Sequence, residues 1–537
     1  MAIPEVGDYW IVRLLFRRGL AFIYLLAFLA AATQFRALAG EDGLLPIDDY
    51  LARWSFRERP SLFYLVPDDR VIGAAAWAGV GLSALALVGA PGWLAPRLAL
   101  PASVLLWGTL WALYLSFVNA GQTFYGFGWE SMLLETGALA IFLGAGEMGA
   151  PAVVVWLLRW VLFRNMFGAG LIKIRGDDCW RDLTCMNYHY ETQPMPNPVS
   201  WFAHRLPDRF HRVEVLGNHV VELFVPFLYF GPPRVAAVAG AITVGFQGWL
   251  MLTGNFAFLN FLTIVMAGSL FADAVVTGGL PLDALAAAVG PLVDVLVPRV
   301  ARDGVPALAG LSPWPLAYQV VLAVVVVLVV ALSYYPVKNL VSSRQAMNRA
   351  FDPFNLVNTY GAFGSITKTR YEVVVQGTDD EVLTADTEWE TYEFPGKPTD
   401  PSRRPPQWAP YHLRLDWQLW FAAMTPSPTR HPWFVHLCAK LLAGDDATRS
   451  LLRHDPFPED PPRHVRALRY RYEFTDYETW RETGRWWDRE RVGTYFGPVS
   501  LDDSRFRLTL RRRGWDVPTV DGKGDGEPAV ASTAGER

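Results

Sequence analysis

Apolar positions divide the chain into two unlike halves. Up to about residue 340, long apolar runs alternate with short polar breaks; beyond about 350 the runs shorten and give way to strand-like alternation. The first run, residues 20–34, follows an amphipathic lead that ends in Arg17, Arg18 and Gly19. Others occupy 71–90, 98–118, 131–144, 153–174, 218–230, 235–252, 256–272 and 316–333. Most are long enough to cross a bilayer as helices. Residues 274–298 are apolar too, but Gly278, Gly279, Pro281, Gly290 and Pro291 break them into a weak or re-entrant segment. The pattern predicts a multi-pass α-helical membrane protein of about eight to ten spans over residues 1–340. Ala37-Leu38-Ala39 has the form of a signal-peptidase site, but the long lead and its arginines favour an uncleaved first span with its start inside.

The second half predicts a soluble, β-rich α+β domain over 350–515. Residues 371–376 alternate as a strand does, and 468–474 place Leu468, Tyr470, Tyr472 and Phe474 on one face. Between them, 415–424 and 433–442 look helical, and the proline-rich stretch 394–410 is expected to be extended. The Gly/Asp/Ala-rich tail 516–537 reads as disordered.

Composition agrees with a membrane protein. Of 537 residues, 52% are hydrophobic and 19% charged, against about 25% charged in soluble domains. A net charge of −4 without a basic stripe gives no footprint for nucleic acid. Cys179, Cys185 and Cys438 are too few for a disulfide framework. A Cys179–Cys185 bridge requires an oxidising compartment; free thiols are the alternative.

Polar residues inside apolar runs mark the candidate chemistry. The run 153–174 carries Arg159, Arg164, Asn165 and Lys173. At about 100° per residue, Arg159 and Lys173 share a face while Arg164 lies roughly 140° from Arg159. Either protein surrounds this helix or Arg159 snorkels to an interface. Glu135 is a plausible counter-ion for Arg164, and Glu222 follows His219 by one helical turn. These residues form an expected intramembrane polar network. In the glycine- and aromatic-rich stretch 119–135, Glu130 or Glu135 either belongs to a tight interfacial turn or points into a polar cavity.

Lys173, His189 and Glu191 are the candidates for acid–base chemistry. A desolvated lysine acts as a base; the plainer role for Lys173 is to end a helix and reach for water. His189 and Glu191, two apart, would share a face of an extended segment. Their spacing, and that of Asp177, Asp178 and Asp182, matches no zinc motif, so no metal is expected. Neither a G-x-S-x-G elbow nor a phosphate or dinucleotide loop occurs, and no cofactor is expected. In the second half, Arg403, Arg404, Trp408, Asp416 and Trp417 serve either to rigidify the proline-rich loop or to contact a partner.

Several stretches resemble the lipase maturation factor family. They are GEDGLLP at 40–46, FGWESMLLETGALAIFL at 127–143, RNMFGAGLIKI at 164–174 and WRDLTCMNYHYETQPMPNPVSWFAH at 180–204. The second half adds NTYGAFGSITKTRYEVVVQG at 358–377 and YEFPGKPTDPSRRPPQWAPYHLRLDWQLWFAA at 392–423. The resemblance implies a membrane-bound factor that helps secreted lipases, or other exported proteins, to fold and assemble. Animal members of the family reside in the endoplasmic reticulum; a bacterial member would sit in the cytoplasmic membrane. No catalytic residue carries over. Residues 167–173 with Trp180 are also similar to the membrane core of vitamin K-dependent carboxylase-type proteins, which implies an alternative: a membrane enzyme acting on a lipid-soluble or protein substrate. Lys338, Arg344 and Arg349 pull the end of the last span towards the cytoplasm, whereas the resemblance implies that the soluble domain lies on the lumenal or extracytoplasmic side.

Overall fold

The computed structural model describes residues 9–145, 148–272 and 314–515. The expectations for the extreme N-terminal lead, for 274–298 and for the tail 516–537 lie outside the described residues.

The chain is a multi-pass membrane protein. Seven helices among the described residues are long and apolar enough to cross a membrane. They are α1 (Trp10–Ala39), α2 (Asp69–Val88), α3 (Pro96–Ala120), α5 (Ala152–Arg175), α7 (Asp208–Leu223, continued as a 3-10 turn to Phe230), α8 (Pro233–Thr253) and α10 (Leu316–Leu332, extended to Val341). Two shorter helices run among them: α4 (Gly128–Ala140) and α9 (Leu259–Ala267). At 13 residues α4 is about 20 Å long, less than a bilayer core, and every residue of it is buried.

Local signals set the ends. The Asp68 carboxylate accepts the Arg70 N–H at the start of α2, and Gly89 closes that helix at φ +74°. Three arginines of α1 then donate to carbonyls of its neighbours, two near the ends of α2 and α4 and one in the connection before α5. Arg18 donates to Ala86 O (2.7 Å), Arg17 to Ala140 O (3.0 Å) and Arg13 to Met148 O (2.5 Å). Guanidinium groups satisfy carbonyls that a helix end leaves unpaired, and they complement the end's partial negative charge.

α7 begins ten residues before the expected apolar run, and it is inside out. His211, Asn218, His219 and Glu222 face the bundle, while Val213, Leu216 and Val220 are exposed where lipid would lie. The sequence 208–217 is too polar on average to register as a span: Asp208, Arg209 and Arg212 are exposed on its first turns and His211 is buried.

The soluble half is built on a four-stranded antiparallel sheet in the order β2-β1-β3-β4: β1 (Arg370–Thr378), β2 (Glu390–Thr391), β3 (His464–Phe474) and β4 (Trp487–Val499). Val374 of β1 lies opposite Leu468 of β3. Two helices, α11 (Arg414–Ala423) against β1 and α12 (Pro432–Leu442) against β3, bury Leu419, Ala422, Phe434 and Leu437 over it. The sheet's strand β1 meets the membrane half at the carbonyls of residues 191–194.

Candidate functional site

Arg159, Arg164 and Lys173 of α5 are all buried, so protein surrounds this helix at those positions and Arg159 does not snorkel. Arg159 donates to Ser269 O (2.9 Å), Tyr229 O (3.2 Å) and the Tyr9 hydroxyl (3.3 Å). Arg164 pairs with Glu135 and donates to Asn358 O (2.6 Å). The soluble half completes that pair, because Glu135 also accepts from the Asn358 N–H (3.1 Å) and the Tyr360 hydroxyl (2.5 Å). Asn165, half-buried, donates to Thr263 Oγ1 at 3.0 Å.

Lys173 Nζ lies 2.6 and 2.7 Å from the two Glu222 oxygens and 2.9 Å from Asn218 Oδ1, over the Trp180 ring. His219 turns away from Glu222 and holds Trp180 O at 3.0 Å. Lys173 therefore neither snorkels nor stands as a free base. Its charge is spent on one carboxylate.

His189 and Glu191 do not share an extended face. They sit in a short helix, α6 (Met186–Thr192), where two residues turn through about 200°. His189 points down among Phe256 and Phe363, and burial together with the nearby Lys173 pushes its pKa down to about 3. Glu191 points up and accepts the Phe474 N–H of β3 at 2.5 Å, with its pKa raised by burial. A seven-residue helix is too short for periodicity to reveal. The loop before it is tied by a Cys179–Cys185 disulfide.

The segment 189–194, His-Tyr-Glu-Thr-Gln-Pro, is a landing pad for the sheet. Arg370 of β1 donates to Glu191 O (2.9 Å), Gln193 O (2.6 Å) and Pro194 O (3.3 Å), and it pairs with Glu372, which Lys397 holds at 2.8 Å. Trp420 Nε1 donates to Thr192 O (3.0 Å). A second junction lies at Glu130. Arg414 donates to it at 2.7 Å and to Phe124 O at 2.9 Å, and it stacks on Tyr125; Tyr114 also donates to Glu130. Gln34 of α1 grips His412 O (2.8 Å) and the Arg414 N–H (2.9 Å). Sequence reading had singled out Glu130 but neither Arg414, Arg370 nor Gln34, whose partners lie hundreds of positions away.

The five residues considered for partner contact fall in different places. Arg403 donates to Phe394 O (3.3 Å) and Pro395 O (2.6 Å), and Asp416 accepts the Gly396 N–H (2.6 Å). Trp417 is buried against Phe127 and Trp129, Trp408 hangs from Asn255 by its backbone, and Arg404 alone of the five is exposed. Between these junctions a cleft of about 920 Å³ separates the two halves, walled by Phe127, Trp129, Trp417, Trp420, Phe421 and Met424 among others.

A model of the lipase maturation factor transmembrane domain matches residues 11–278, and one of the lipase maturation factor C-terminal domain matches residues 356–497. The chain is 44% identical to lipase maturation factor 1 of Bos taurus, covering 96% of this chain and 93% of that one. The chain belongs to the lipase maturation factor family. Human lipase maturation factor 1 is also 44% identical over 96% of this chain and 92% of its own length, and human lipase maturation factor 2 is 31% identical over 94% and 84%. No solved structure matches. In this lipase maturation factor family member, the two matched domains meet through the Glu130, Glu135 and Arg370 junctions.

Proposed function

We propose that this protein is a membrane-bound maturation factor that assists the folding and assembly of secreted lipases, or of other exported proteins. One observation carries the reading: likeness to lipase maturation factor 1 runs the length of the chain, through both halves in the same order. The polar chemistry supports it. The buried cations Arg164, Lys173, Arg370 and Arg414 are each committed to a carboxylate, and one of those pairs, Arg414–Glu130, joins the soluble domain to the bundle. Such an arrangement holds a soluble platform rigidly at the membrane surface, where a nascent exported client emerges.

The soluble domain is assigned to the extracytoplasmic side. Arginines occur at both ends of the bundle, so charge does not decide the orientation. The disulfide supports this side: Cys179–Cys185 packs beside Ile366, on the side that carries the sheet, and disulfides persist in oxidising compartments. That side is the lumen for a protein of the endoplasmic reticulum, or the periplasmic face for one of a bacterial cytoplasmic membrane.

The test is co-expression of a secreted lipase with the chain in cells lacking their own maturation factor. The specific activity of the secreted lipase is expected to rise several-fold with the chain present, and equally with Lys173→Met wherever that variant accumulates. Lipase that matures as well without the chain would sink the proposal. A phosphatase fused after Arg349 is expected to be active only outside the cytoplasm; cytoplasmic activity would reverse the orientation.

A further inference from the structure

Below the large cleft, the membrane half holds a second cavity of about 60 Å³. Asn165, His189, Phe256, Leu259, Ala362 and Phe363 line both, so the two spaces meet at one rim. Their walls differ. The outer space sets aromatic rings beside polar groups such as Gln122, Asn348 and Arg430; the inner one gathers Lys173, Glu222, Asn218, Asn165, Gln247 and Asn260 against an otherwise apolar wall.

The inner charges cancel, since Lys173 and Glu222 pair and Asn218 serves both with its two ends. What remains is a set of hydrogen-bonding groups without partners among the described residues. Asn165 Nδ2 donates to Thr263 Oγ1 (3.0 Å), whose own proton goes to Leu259 O (2.9 Å). That chain fixes the amide orientation and leaves Asn165 Oδ1 as an unused acceptor. Asn260 Nδ2 donates to Gln247 Oε1 (2.8 Å), and its Oδ1 is likewise unused. His189 is 6% exposed, and neither ring nitrogen has a hydrogen-bond partner among the described residues, although the ring lines both spaces. A buried polar group without a partner is costly, and a ligand that supplies one recovers that cost.

We propose that the two spaces form one binding site for a neutral single-chain lipid with hydroxyl groups on its head, of the monoacylglycerol class. The hydroxyls donate to Asn165 Oδ1 and Asn260 Oδ1 and meet the His189 ring; the acyl chain lies along Phe256, Phe363, Trp417 and Trp420 in the cleft. The outer volume is within the usual range of ligand pockets, about 300–1,000 Å³. A fatty-acid anion brings an uncompensated charge and only acceptors, and a simple ester brings acceptors without donors, so neither answers the inner wall. The site stands independently of the maturation role, and loss of one leaves the other intact.

The experiment uses the full chain purified in detergent, with tryptophan fluorescence quenched by a dibrominated monoacylglycerol. Quenching is expected to saturate. Monooleoylglycerol is expected to displace the probe at roughly tenfold lower concentration than oleate or methyl oleate, as two extra hydrogen bonds imply. His189→Phe is expected to weaken binding about fivefold. Quenching that does not saturate, or three lipids that compete equally, overturns the site. So does a folded His189→Phe variant that binds as tightly as the parent. Should that variant not fold, the order of the three lipids on the unaltered chain decides.

Discussion

At the scale of single residues, the proline-rich loop shows how a buried carboxylate can work against stability. Arg403 and Asp416 hold one turn, Phe394 to Gly396, from opposite sides: the arginine takes two carbonyls and the aspartate takes the Gly396 N–H. Burial pushes the Asp416 pKa up to about 6 from its ordinary 3.8, because the charged form loses more hydration than the Gly396 and Asp416 N–H groups, Lys397 and Arg403 return. A raised value means that the folded state favours the protonated acid. That contribution is fully present below pH 3.8 and is lost as pH rises through 6, on the order of 3 kcal/mol in all. Asp416→Asn keeps the acceptor and removes the titration. Its melting temperature is expected to exceed that of the parent above pH 7, with the difference closing towards pH 4; a difference independent of pH would take Asp416 out of the account. The sequence put Arg403, Arg404, Asp416 and Trp417 forward as a group, and their types were informative. Their separation into a turn clamp, a buried ring and one exposed arginine depends on where the backbone turns, which residue type does not encode.

At the scale of elements, what was legible followed from angle and what was missed followed from length or inversion. Arg159, Arg164 and Lys173 at incompatible angles on α5 leave two choices, protein around the helix or a snorkelling Arg159, and burial of all three selects the first. The first ten residues of α7 escape an apolar-run criterion because it averages hydropathy, and this helix carries Asp208, Arg209 and Arg212 on its surface and turns His211, Asn218 and Glu222 to the core. α6 was mistaken for extended chain because seven residues hold fewer than two turns. Its role rests on the Arg370 fork. Arg370→Met strips partners from the carbonyls of 191, 193 and 194 and leaves Glu372 with Lys397 alone. The expected loss is about 3–5 kcal/mol, read as a lower melting temperature and faster proteolysis of the soluble half. Arg370→Lys, a point charge without the fork, is expected to recover only a minor part. Recovery to the parent level by lysine would mean that charge alone holds the pad.

At the scale of the whole molecule, the family's two domains share their buried electrostatics. Glu130 belongs to the membrane half and its counter-ion Arg414 to the soluble half; Glu135 takes Arg164 from the first and Asn358 and Tyr360 from the second. Composition makes the division into halves plain, but it does not show that neither half is electrically complete, since the bonds that cross between them join residues more than 200 positions apart. The membrane half ending near residue 345 is therefore expected to accumulate poorly when expressed alone, and Glu130→Gln, which neutralises the stranded carboxylate, is expected to restore part of its yield. Equal yields of the truncated chain with and without that change would show that Glu130 finds another partner.

The same pair sets a clock on biosynthesis. Arg414 is 284 residues downstream of Glu130, so at roughly 5–20 residues per second a ribosome needs about 15–60 s after making the acid to supply its base. Throughout that interval the half-made bundle carries an unpaired carboxylate at its surface. The factor proposed to help other proteins mature is itself unfinished until its last third has been translated and docked.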